Sequence, residues 1–65
     1  MSPKHYLTLR RLNLARQALR TAPAGRTTVT EIAMRHGFWQ LGRFAVVYRS
    51  VFGEMPIATL RRQPG

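Results

Sequence analysis

The chain has 65 residues, no cysteine, and eleven Lys and Arg against two Glu, giving a formal net charge of +9. A chain this short makes one small domain that buries about 60% of its unfolded surface; it has no room for a cleft between lobes, and without thiols it has neither a disulfide framework nor a thiolate metal site. Charge of one sign on that scale repels itself in a compact domain, which points to a polyanionic partner, nucleic acid first, because each neutralised phosphate releases counterions.

Ser2-Pro3 opens the first helix, with Ser2 as N-cap and Pro3 at the first helical position, where its missing N–H costs nothing. From there to about Thr21, Leu12, Ala15 and Leu19 recur at helical spacing, and Leu7, Leu14 and Ala18 widen the stripe, with Arg10, Arg16 and Arg20 mainly off it and Tyr6 docking the helix. "TAPAGRT" then breaks the pattern with Pro23 and Gly25. Thr28 and Glu31 match a capping box, in which the Thr28 hydroxyl takes the Glu31 N–H and the Glu31 carboxylate returns to the Thr28 N–H. A short helix follows from Val29 to His36, with Ile32 and Ala33 inward and Gly37 closing it in the left-handed conformation that suits glycine. After Phe38-Trp39, a longer helix runs from Gln40 or Leu41 to Phe52, with Phe44, Val47, Tyr48 and Val51 or Phe52 facing the core and Gly53 ending it. Pro56 begins a last short helix, "PIATLRR", whose Ile57 and Leu60 close over the bottom of the core. The reading is all-α: four helices and no strand.

Most chemistry-bearing residues have a structural explanation. His5 and His36 stand 31 positions apart with no ligand partner in pattern, so no metal or cofactor is expected. With only Glu31 and Glu54 as acids, nothing is left for acid–base catalysis, and an enzyme is the least favoured class. Trp39 either shields the turn beside Phe38 or stacks on a base or sugar edge. The N-terminal run "MSPKHYLTLRRLNLAR" lacks the apolar core of a signal peptide, and no apolar run approaches the ~20 residues of a spanning helix, so a cytoplasmic protein is expected.

Helix, glycine elbow, helix is the geometry in which the first helix crosses the DNA backbone and the second enters the major groove. The stretch "TVTEIAMRHGFWQLGRFAVVYRSVFGEMP" closely resembles the second helix-turn-helix of the AraC/XylS family of bacterial transcription regulators. Ile32, Ala33, Gly37, Phe38, Phe44, Tyr48, Phe52, Gly53 and Pro56 stand at that family's characteristic positions. "YLTLRRLNLARQALR" likewise resembles the helix linking the family's two helix-turn-helix units. The resemblance implies a homeodomain-like helical bundle in residues 1–65: a linker-type helix over 3–21, the helix-turn-helix over 28–53 and a closing helix over 56–62. By the same resemblance the first helix-turn-helix and the small-molecule effector domain lie outside this chain, which is a fragment or a short stand-alone protein. The implied partners are double-stranded DNA and, as in many activators of the family, RNA polymerase.

The resemblance carries base contacts onto Gln40, Leu41, Gly42 and Arg43 and, one turn on, Ala45 and Val46. Arg43 can fork onto guanine O6 and N7, and Gln40 can pair with adenine or merely cap its helix. Leu41, Ala45 and Val46 can touch thymine methyls, and Gly42 lets backbone come close. Phosphate contacts fall to the Val29 and Thr30 amides, to Arg49 and to Arg35, with Arg26 near the same face. The chain departs from the family pattern at Val46, where many members carry arginine, at Gly42, usually polar, and at Met55, where a Ser usually caps the last helix. Base readout then leans on Arg43, with DNA shape and phosphates supplying the rest. Three rivals stand beside this reading: non-specific nucleic-acid binding, action through protein contacts alone, and a basic amphipathic helix on an anionic membrane.

Overall fold

The computed structural model describes residues 3–23 and 25–62 and folds them into four helices: α1 Pro3–Thr21, α2 Val29–Arg35, α3 Leu41–Phe52 and α4 Pro56–Arg61. No strand forms among the described residues. The expected N-cap at Ser2 lies outside them.

Helix α1 packs against α2 and α4, and both of those also meet α3. Between them lie Leu12, Ala15 and Leu19 of α1, Ala22 just after it, Ile32 and Ala33 of α2, and Phe44 and Tyr48 of α3, all buried. The small Ala33 side chain of α2 is fully buried in this core. Four rings in three contacts continue the core from the turn along α3: Phe38–Phe44, Phe44–Tyr48 and Tyr48–Phe52, with centroids 4.8, 5.7 and 4.6 Å apart, the first two tilted and the third edge-on, geometries that add to the area they bury. The Arg16 guanidinium lies over Phe52, 5.1 Å from the ring centre.

The helix ends follow their local chemistry. The Thr28 hydroxyl accepts the Glu31 N–H at 3.1 Å, but the reciprocal bond from the Thr28 N–H to the Glu31 carboxylate is not formed, so only half of the expected box exists. At the other end of α2 the Phe38 N–H reaches the Ala33 carbonyl (2.8 Å) and the Gly37 N–H the Met34 carbonyl (3.1 Å), with Gly37 at φ +85°. These are the two bonds of a Schellman closure. The His36 ring Nδ1 donates to the Ile32 carbonyl at 2.8 Å. Gly53, at φ +76°, ends α3 through its N–H to the Arg49 carbonyl.

Several packing expectations change. Tyr6, Leu7 and Leu14 are exposed: the described partners of α1 cover only the face that carries Leu12, Ala15 and Leu19, so the stripe is narrower than its leucines suggest. Trp39 does not shield the turn; it is 73% exposed, because Phe38 takes the place against Phe44. Ile57 faces solvent, and the base of the core is closed instead by Pro56, Thr59 and the partly buried Leu60. Of the two alternatives at the end of α3, Phe52 packs inward and Val51 is exposed.

The second acid, Glu54, joins a polar chain under the core. Its carboxylate accepts the Thr59 hydroxyl hydrogen and pairs with Arg62 Nη2 at 2.9 Å. Because the Thr59 hydroxyl spends its hydrogen on a carboxylate, its oxygen accepts from the buried Tyr48 hydroxyl, 2.7 Å away. No buried side-chain polar atom is left without a partner among the described residues.

Candidate nucleic-acid interface

Burying Phe44 and Tyr48 fixes the rotation of α3. Gly42, Arg43, Val46, Arg49 and Ser50 then share the opposite face and are all exposed, as the spacings of three, four and seven residues require. Val46, at the middle of this face, is 69% exposed. Arg43 and Arg49 have no acidic partner among the described residues, where the one side-chain ion pair with known geometry joins Arg62 to Glu54. Their guanidinium donors are free for an outside acceptor.

The start of α3 is open. Gln40 is the N-cap residue in extended conformation, yet its side chain makes no capping bond. Of its two proposed roles, capping is therefore unoccupied and the amide is left exposed. Leu41 is exposed beside it, and a Cβ added at Gly42 would meet nothing within 4 Å. Ala45 is half-buried and lies at the margin of the face.

The remaining phosphate candidates sit on α2. Val29 and Thr30 open that helix and Arg35 ends it, a separation of about 8–9 Å at 1.5 Å per residue, so they cannot act as one clamp. Val29 is half-packed against the core, whereas Thr30, Arg35 and Arg26 are exposed. The structure also brings to this face two residues that sequence reasoning did not assign, Ser50 and Met55, which with Val46 and Arg49 line one shallow depression of about 450 Å³. Ser50 falls four residues after Val46, a spacing that would have placed it on this face; Met55 reaches it only because Gly53 turns the chain.

A short helix closed by a left-handed glycine and followed by a longer helix with an exposed basic face defines a helix-turn-helix module. A family model described as a helix-turn-helix domain matches residues 1–62, and the chain belongs to that family, of the AraC/XylS type. Membership makes it a DNA-binding module of the kind that bacterial transcription regulators carry. It is 48% identical over 61 residues to the XylDLEGF operon transcriptional activator of Pseudomonas putida, a match covering 94% of this chain and 19% of that protein. The XylDLEGF operon transcriptional activator 2 of the same organism is 42% identical over 59 residues, covering 91% of this chain and 38% of that protein. The probable thc operon regulatory protein of Rhodococcus erythropolis is 41% identical over 63 residues, 97% of this chain and 19% of that protein. The chain thus spans about a fifth of the length of the first and third of these relatives. No solved structure gives a significant match. Among the described residues no helix is long and apolar enough to cross a membrane, and no three His, Cys, Asp or Glu side chains come together.

Proposed function

We propose that this module reads duplex DNA through α3 in the major groove, in the service of a cytoplasmic transcription regulator rather than an enzyme. The observation that carries the reading is the exposed face of α3, where Arg43 and Arg49 stand unpaired beside Gly42 and Val46 on a chain of net charge +9. Arg43 forks onto a guanine, and Gln40, Leu41, Gly42 and Val46 meet neighbouring base edges. Arg49 and Arg35, with the first-turn amides of Val29 and Thr30, hold phosphates. Helix α1 serves as the linker-type helix of residues 3–21, with 28–53 as the reading unit and 56–62 closing it. The relatives' names describe activators and a regulator of operons; contact with RNA polymerase belongs to this proposal on that ground alone.

Selection from a random duplex library at near-physiological salt tests it. Wild type should return a motif, and Arg43→Ala should relax one position of it, at a cost of about 1–3 kcal/mol there, whereas Arg49→Ala should weaken all sequences alike and lower the salt slope by about one. Binding by Arg43→Ala with an unchanged motif sinks the assignment of α3 as the reading helix.

A further inference from the structure

We propose that Val46 and Met55 form an apolar socket that reads the 5-methyl group of thymine, a specificity that rests on the DNA-reading function above. Val46 is 69% and Met55 40% exposed, and the two side chains line the same depression on the outer face of α3. The other two walls are Arg49 and Ser50. In the major groove only one base offers an apolar group, the thymine methyl. An exposed valine in the centre of a reading face can donate or accept no hydrogen bond, so its contribution to discrimination is through that methyl. The arginine on the rim gives the depression a second element: Arg49 can hold the phosphate flanking the base while Val46 and Met55 cover its methyl. A protein knob would also fit an apolar hollow, but the unpaired Arg43 and Arg49 on the same face favour a polyanion with an apolar feature.

Removing one buried methyl costs about fourfold in affinity, at about 0.8 kcal/mol per carbon and 1.4 kcal/mol per decade. The test replaces thymine by deoxyuridine, which deletes the methyl and leaves base pairing intact. Duplexes carrying the selected motif, with each thymine replaced in turn, are titrated by fluorescence anisotropy against wild type, Val46→Ala, Met55→Ala and Arg43→Ala. If no motif is selected, alternating dA-dT and dA-dU 20-mers take its place. Both socket side chains are exposed, so their truncation leaves the core in place, which a thermal melt verifies. Wild type should lose about fourfold at one or two replaced positions, Arg43→Ala should keep that loss, and Val46→Ala and Met55→Ala should shrink it toward nothing. Sequence-selective binding indifferent to deoxyuridine overturns the socket and leaves the DNA-reading function standing. So does a methyl effect undiminished in both socket variants. Failure of wild type to bind any duplex overturns the function itself, and the socket with it.

Discussion

Thr59 does more at the base of the core than its place in a six-residue helix suggests. It stands between a buried tyrosine hydroxyl, whose hydrogen it accepts, and a carboxylate to which it donates. Removing either partner therefore has unequal consequences. Tyr48→Phe deletes one hydrogen bond and leaves Thr59 still bonded to Glu54, a loss of about 0.5–1.5 kcal/mol. Thr59→Val leaves the Tyr48 hydroxyl buried without an acceptor, which costs about 1–3 kcal/mol. Adding Tyr48→Phe to Thr59→Val removes the stranded donor, so the double variant should be more stable than Thr59→Val alone. Chemical denaturation of the four proteins checks this, and simple additivity would disprove the chain of bonds. The same residue sets a pH dependence. The Thr59 hydroxyl first, and then the Arg62 and Arg16 charges, hold the Glu54 carboxyl below its ordinary value of 4.5, against the opposing pull of desolvation. The folded state thus binds fewer protons than the unfolded chain in that range. Its stabilisation is complete above the ordinary glutamate pKa and is lost as pH falls through the folded one. Thr59→Val should flatten the acid limb of a stability–pH curve.

At the scale of elements, two glycines on either side of the reading helix's start behave in opposite ways. Gly37 sits at φ +85°, and the nearest group to an added Cβ would be the flexible Arg11 guanidinium at 3.5 Å, an ordinary contact. Strain of the left-handed backbone therefore decides, and Gly37→Ala should cost about 1–2 kcal/mol. Gly42 lies inside α3 with open space around it and no positive φ. Gly42→Ala should stabilise the fold by about 0.5–1 kcal/mol while weakening DNA binding, because it fills the gap through which backbone approaches the duplex. A Gly42→Ala variant that gains stability and binds as tightly as wild type would take Gly42 out of the interface. Such end effects were legible in the sequence. The Thr28 hydroxyl cap and the Gly37 and Gly53 closures are local chemistry between residues a few positions apart, and the buried Leu12, Ile32, Phe44 and Tyr48 follow from helical spacing. What spacing cannot show is how far a partner helix extends. Leu7 and Leu14, counted into the widened stripe of α1, face solvent, as does Tyr6, expected to dock the helix, because no described helix lies across them. Nor could it decide which of Phe38 and Trp39 would stack on Phe44, a choice made by the path of the turn. On the reading face, Val46 and Met55 were each visible as apolar departures from the family pattern, but their meeting in one depression depends on the turn at Gly53.

For the molecule as a whole, salt should act on folding and on binding with opposite signs. Eleven Lys and Arg against two Glu leave most charges facing like charges, and the ion pair of Arg62 with Glu54 neutralises little of that excess. Screening shortens their reach to about 10 Å at 0.1 M ionic strength, so the melting temperature of the free protein should climb as sodium chloride is raised from about 20 to about 300 mM. Duplex DNA supplies the same neutralisation by direct contact, and its affinity falls linearly in log salt, with a slope of about −0.9 for each phosphate engaged. A ligand at 100 times its dissociation constant stabilises the folded state by about 2.7 kcal/mol. The DNA-induced rise in melting temperature should accordingly be large at low salt and vanish at high salt, while the melting temperature of free protein moves the other way. Melts with and without duplex across one salt series measure both. A free-protein melting temperature that is flat or falling with salt would mean that the arginines are already compensated within the fold. The case for a polyanionic partner would then have to rest on Arg43 and Arg49 alone.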